Sequence, residues 1–205
     1  MRTATPRSSQ GFTLLELMIV VTLLALMMML AAPSISIWLQ NLKVRNVGES
    51  IVSGLQLARM EAIRRNTRVT FSMVSTTDAN CAMSAASPSW VVAKGGVLPT
   101  GITNKCAGTM ADDGGDIIQK NSASVALQGI TLTSTGGANC LTYDGMGQLP
   151  SQGSMACTTG ITSIDISSPV ADTIALRVTV STGGQVRLCY PDTAGQLPTN
   201  DPRKC

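Results

Sequence analysis

Six cysteines and one isolated glutamate carry most of the chemistry that this sequence offers. Cys81, Cys106, Cys140, Cys157, Cys189 and Cys205 form an even set, confined to a polar region rich in Thr, Ser, Gly and Asn. In a region of that kind, outside the reducing cytosol, cysteines pair as disulfides. None of them stands in CxxC spacing and the chain has no histidine, so no metal site is assigned. The missing histidine also removes Ser-His-Asp and Cys-His catalysis. With no phosphate loop or nucleophile elbow either, the sequence predicts neither an enzyme nor a cofactor. Asp112-Asp113-Gly114-Gly115-Asp116 places three carboxylates in a Gly-rich turn. Its spacing departs from the EF-hand pattern, and a solvated loop is expected there in preference to a calcium site.

Glu16 is the lone charge in an apolar run over residues 12–32. As a helix, that run would be ~32 Å long at ~1.5 Å per residue, enough for a hydrocarbon core of ~30 Å. Pro33 follows, where a helix kinks or the span ends. A carboxylate among apolar helices is costly unless it is paired. An ordinary secretory signal would have a shorter apolar core followed by a small-residue cut site; Leu30-Ala31-Ala32 offers one only faintly, with Pro33 directly behind it. An uncleaved anchor would let Glu16 snorkel to the surface and complement the positive end of the helix. Arg2 and Arg7 favour a cytoplasmic N-terminus, while Lys43 and Arg45 flank the far end, so charge alone leaves the orientation open. The cysteines place the remainder on the oxidising side.

The elements that must position these groups follow from periodicity. Val44, Val47, Ile51, Leu55, Ala58 and Ala62 step by three and four, which predicts an amphipathic helix over 34–67 with one buried stripe. Lys43, Arg45, Glu49, Arg59, Arg64 and Arg65 fall mostly off that stripe, on an expected solvated face. From residue 68 the period changes to strands, expected at 68–74, 90–93, 125–133, 161–166, 173–180 and 185–190. The last two are joined by Ser181-Thr182-Gly183-Gly184, a hairpin turn. Stretches 75–89, 101–116 and 134–160 read as loops. The predicted class is α+β: one long N-terminal helix, membrane-spanning in its first half and amphipathic in its second, packed on a mainly antiparallel sheet. Sequential pairing, Cys81–Cys106, Cys140–Cys157 and Cys189–Cys205, would staple each loop locally at roughly 3 kcal/mol apiece, although sequence does not choose among the connectivities. The formal charge of +3 falls to about +1 without Arg2 and Arg7, so any nucleic-acid affinity needs a local patch.

Gly11-Phe12-Thr13-Leu14-Leu15-Glu16 resembles the prepilin processing motif of type IV pilins and type II secretion pseudopilins. The resemblance implies a leader, 1–11, cut away between Gly11 and Phe12 by a prepilin peptidase, and methylation of the new amine on Phe12. It implies an apolar segment, 12–33, that is first a single-pass inner-membrane anchor and then a filament core; an amphipathic stretch, 34–67; and a periplasmic head, 68–205, in the pilin fold. Glu16 would pair with the terminal amine of a neighbouring subunit, and Pro33 matches the helix-kinking proline of type IVa pilins. The stretch 55–66 running into a strand, with Gly184-Gln185-Val186-Arg187-Leu188-Cys189 and Asp201-Pro202-Arg203-Lys204-Cys205, is similar to the GspH/FimT group of minor pilins and pseudopilins. That group implies a subunit at or near a filament tip that helps initiate assembly with other pilins. The alternatives are a type II secretion pseudopilin and a DNA-binding minor pilin for transformation. For the last, the group's Gly-Arg-x-Arg motif is here Gly184-Gln185-Val186-Arg187, one arginine short. Arg177, Arg187, Arg203 and Lys204 would have to supply weak, salt-sensitive binding, diluted by Asp192 and Asp201.

Overall fold

Helix α1 (Leu14–Arg65) opens at a capping residue and closes at a left-handed one. The computed structural model describes residues 11–95, 104–108, 116–123, 129–150, 157, 160–192, 197–198 and 200–205, with backbone alone at 30–33. Thr13 sits in extended conformation before the first turn, and its hydroxyl accepts the Glu16 N–H at 3.2 Å, satisfying one of the free donors of a helix start. At the other end Asn66 turns left-handed (φ 45°, ψ 44°) and its N–H returns to the Ala62 and Ile63 carbonyls. Arg64 and Arg65 occupy the last turn, where cations complement the helix dipole. The arms Leu14–Met29 and Ser34–Arg65 are inclined by 46°. The bend falls in the stretch holding Pro33, which has no N–H to give the preceding turn.

The strands are β1 (Val69–Val74), β2 (Ser89–Lys94), β3 (Ile117–Asn121), β4 (Thr131–Ser134), β5 (Cys140–Tyr143), β6 (Ser163–Ser167), β7 (Leu176–Val180) and β8 (Val186–Cys189). They form two four-stranded sheets, ordered β3-β2-β1-β5 and β4-β6-β7-β8, with every pairing antiparallel. The class is therefore α+β as expected, with the strands divided between two sheets. The sheets meet where the Ile161 N–H donates to the Cys140 carbonyl and the Leu149 N–H to the Thr182 carbonyl. Val44, Val47, Ile51, Leu55, Ala58 and Ala62 are buried along one stripe of α1, in one core with Phe71, Trp90, Leu141, Ile164 and Val178 from both sheets. At Gly54 the helix comes so close to the first sheet that an added Cβ would lie 2.8 Å from a carbon of each ring, Phe71 and Trp90. Those rings pack against each other, tilted by 36° with centroids 5.8 Å apart, and the Trp90 indole N–H donates to Ser50 Oγ at 3.0 Å.

Several strand expectations need correction. β5 lies inside the stretch read as a loop over 134–160. All four of its residues are buried, so the alternation that announces a strand is missing. The sequence predicts no strand at β3, because it is a mostly exposed edge strand ending in Gln119, Lys120 and Asn121. β4 begins after Gly129, whose φ of +86° breaks the run expected over 125–133; residues 125–128 lie outside the described residues. β7 starts at Leu176 and not at 173, after Asp172 turns left-handed. β1 is buried at every position because its outer side faces a second cluster, in which Val74 and Val91 pack with Cys81, Cys106 and Ile117.

Candidate functional site

Among the described residues, the N-terminal arm of α1 has no packing partner. Every described side chain from Gly11 to Met29 is exposed, including the large apolar ones, of which Phe12 is 84% open. Glu16 is exposed too, and among the described residues its carboxylate takes no hydrogen bond or ion pair; only its backbone N–H is engaged, by Thr13. Gly11 lies open just before the helix, and nothing stands within 4 Å of where its Cβ would be. A helix that is apolar all round and covered by nothing is fit for a lipid or helical surrounding. No single helix among the described residues is long and apolar enough to cross a membrane; the bent pair of arms meets that requirement in length and composition only.

Below the apolar arm, Asn41 ties the helix to the head: its Oδ1 accepts the Ile174 N–H at 2.8 Å. Farther along, Arg59 fastens three elements at once. Its Nε donates to the Gly147 carbonyl at 2.9 Å and its Nη2 to the Gly183 carbonyl at 3.2 Å, joining α1 to the turn after β5 and to the β7–β8 hairpin. The sequence placed Arg59 on a solvated face, and nothing in its spacing separates it from Arg64 or Arg65. Those two instead hold Glu61, at 2.7 Å each; with Arg64 as the larger influence, they depress its carboxyl below the ordinary value.

The hairpin turn stands as expected, with the Gly184 N–H donating to the Ser181 carbonyl at 2.8 Å. Gly184 has φ +76°, and a Cβ there would strike the Gly147 carbonyl that Arg59 holds. The glycine of the stretch Gly184-Gln185-Val186-Arg187 is thus demanded by the backbone of the turn.

The structure joins Cys81 with Cys106, Cys140 with Cys157, and Cys189 with Cys205, at Cα separations of 6.0, 5.8 and 5.2 Å. The last bridge holds the C-terminal tail beside the end of β8. There the Tyr190 N–H donates to the Arg203 carbonyl and the Cys205 N–H to the Tyr190 carbonyl. Arg187 donates to the Pro202 carbonyl at 2.7 Å and the Lys204 carbonyl at 3.2 Å. Arg203 grips Asp201 through two hydrogen bonds and lies over the Tyr190 ring, and Lys204 reaches Asp192 at 2.6 Å. Arg187, Arg203 and Lys204 therefore do cluster, as tail-docking groups. Arg177 stands across from Cys189 on β7 and turns to Asp165, with contacts of 2.6 and 2.9 Å; that carboxylate raises its pKa further. Every cation of the expected patch is thus already engaged inside the molecule. Of the acidic turn, Asp112 and Asp113 lie outside the described residues, and Asp116 is exposed.

Comparison with known proteins matches residues 48–196 to the family model described as type II transport protein GspH, and residues 6–32 to the prokaryotic N-terminal methylation motif. No curated protein matches the chain. Among solved structures, the type IV minor pilin FimU of Pseudomonas aeruginosa is similar in two crystal forms. In one the identity is 17%, the TM-score 0.46, and the match covers 71% of this chain and 87% of that one. In the other the values are 15%, 0.43, 70% and 90%. The helix-and-sheet head spans most of the matched segment, and the exposed arm holds the matched motif: the chain belongs to the GspH family of pilin-like proteins and carries an N-terminal methylation motif.

Proposed function

We propose that the chain is a minor subunit of a type IV pilus, incorporated at or near the filament tip to help initiate assembly. In this reading a prepilin peptidase cuts between Gly11 and Phe12 and the amine of Phe12 is methylated. The apolar arm then holds the subunit in the inner membrane, head in the periplasm, until it packs against the helices of other pilins. The observation that carries the reading is the arm itself: apolar, exposed on all sides, and charged only at a Glu16 that finds no partner among the described residues. Burial of an unpaired carboxylate is costly, so Glu16 favours assembly only where a neighbour's terminal amine meets it. Methylation leaves that amine charged. Mass spectrometry of the mature protein tests the processing; an N-terminus still at Met1 in cells with an active peptidase refutes it. Glu16→Ala tests the pairing, with loss of filament incorporation but normal membrane insertion expected. Equal incorporation of the variant overturns the role of Glu16.

A second reading, a pseudopilin of a type II secretion system, has the family's own description in its favour. The three disulfides and the stapled tail incline the assignment to pili. Deletion of the gene separates the two: loss of pili with secretion intact supports the first, and the converse the second. DNA uptake is not favoured, because Arg177, Arg187, Arg203 and Lys204 all have internal partners.

A further inference from the structure

At the junction of the two arms, α1 bears a second apolar face that the head leaves uncovered. Ile35, Trp38, Leu39 and Leu42 are all exposed, Trp38 at 60%. Their spacing of three, four and seven puts them on one side of the helix. Ile37, Gln40 and Asn41, which are half-buried, and Val44, which is buried, lie on the opposite side, toward the head. The stripe ends abruptly: Arg45, Asn46 and Glu49 follow, all exposed. On the other side of the bend lies the exposed apolar arm, Leu14–Met29.

We propose that before assembly this stripe lies in the outer headgroup–acyl boundary of the phospholipid bilayer, so that Trp38 anchors the subunit and the second arm reclines along the membrane surface. The proposal rests on the reading that the apolar arm crosses a bilayer. Arm lengths support it. At ~1.5 Å per residue, Leu14–Met29 supplies about 24 Å and residues 30–33 about 6 Å more, which together match a hydrocarbon core of ~30 Å. Beyond the 46° bend each residue advances only about 1 Å along the bilayer normal, which puts Ile35 through Leu42 some ~32–39 Å from Leu14. The headgroup layer occupies roughly the ~5–8 Å outside the core, so the whole stripe falls within or at the edge of it. An indole, apolar in body with one N–H donor, is suited to that layer, and the cations of Lys43 and Arg45 follow within one turn, on the aqueous side of it. A neighbouring pilin helix could also cover such a stripe, yet it would leave the sharp change at Lys43 and the placement of the one exposed indole without a cause.

Tryptophan fluorescence of the full chain in vesicles of phosphatidylethanolamine and phosphatidylglycerol tests this directly. The chain has two tryptophans, and Trp90 is buried in the head, so Trp38→Phe supplies the background to subtract. The expected result is that the Trp38 emission is lost most to lipids brominated at shallow acyl positions, less to deep ones, and little to aqueous acrylamide. Strongest quenching by deep bromines refutes the interfacial placement. Quenching by acrylamide at low protein-to-lipid ratio, with shielding only as subunits are crowded, assigns the stripe to subunit contact and overturns the proposal. In both of those cases the chain remains inserted and the membrane reading stands. Failure of the chain to float with vesicles at all removes both.

Discussion

Replacing Gly54 with alanine should destabilise the head although it improves the helix. The new methyl would lie 2.8 Å from Phe71 Cε2 and 2.8 Å from Trp90 Cε2. Carbon contacts settle at ~3.5–4.0 Å, so helix and rings must part by about 0.7 Å or more. Neither ring yields easily: both are buried, they pack against each other, and the indole is held by Ser50. Overpacking of this kind costs ~1–3 kcal/mol. Against it stands the alanine's better helix propensity, up to ~1 kcal/mol. The expected net loss is roughly 1–2 kcal/mol. Denaturant unfolding of the detergent-solubilised, oxidised chain, followed by near-UV circular dichroism, reads it. Gly48→Ala is the control, because its methyl would meet only the ends of Leu188 and Ile166, at 3.1 and 3.5 Å. Those ends rotate, so crowding and propensity should nearly cancel, to within ~0.5 kcal/mol. A Gly54→Ala protein as stable as the parent, or one less harmed than Gly48→Ala, would show that the close approach of helix to sheet is misjudged.

Arg59→Ala removes two charge-assisted bonds and leaves the Gly147 carbonyl short of a donor, an expected loss of ~1.5–3 kcal/mol. Hydrogen exchange should quicken first in the turns at 144–149 and 181–185; unchanged exchange there refutes the fastening role. Tyr143→Phe should cost nothing measurable, because the buried hydroxyl has no partner among the described residues and burial already pushes its ionisation above the ordinary range. A loss above ~1 kcal/mol in denaturant unfolding contradicts it. The tail should loosen in acid. The Arg203 hydrogen bond draws the Asp201 carboxyl from its ordinary 3.8 down to about 2, and Lys204 lowers Asp192 likewise. A depressed carboxylate stabilises fully above its unfolded pKa and ceases to do so as pH falls through the folded one. Protection of the Tyr190 and Cys205 amides, corrected for the intrinsic pH dependence of exchange, should therefore hold steady down to about pH 4 and fall between there and pH 2. Protection that is already lost at neutral pH contradicts the assignment.

The sequence made legible what depends on period and on covalent type. The buried stripe of α1 was readable because each member recurs every three or four residues and meets one continuous core. The β7–β8 hairpin was readable because two glycines mark its turn. β5 was not, since a strand enclosed on both faces has no alternation to show, and β3 was not, since an edge strand carries polar residues in a row. The division into two sheets depends on which strands pair, which is set by contacts distant in sequence. The candidate site divided in the same way. Glu16 stood out because it is alone among apolar residues. The C-terminal cations, read as a patch by their number, turn inward, because Asp165, Asp192, Asp201 and the tail carbonyls lie within reach only after folding. Arg59 bore no mark at all; its partners are carbonyls, which every residue has.

The way α1 is spent explains why the chain reads as a subunit. From Val44 onward the head takes one stripe of the helix and closes a core upon it. From Gly11 to Met29 every described side chain of the helix is exposed, so the apolar surface there must be completed from outside. The proposed cut between Gly11 and Phe12 suits that arrangement. It would leave a single residue ahead of Thr13, so the hydroxyl that holds the first turn through the Glu16 N–H would survive processing. Cleavage would thus create an amine at the very start of an intact helix, about one turn from the only carboxylate on the arm. An amine placed there adds positive charge to an already positive helix end, which is unfavourable in isolation. Glu16 in its own chain offsets part of that, and an acid from a neighbour offsets the rest. On the proposed reading, the charge left over on each subunit would be a reason to assemble, one that arises only once the leader is cut.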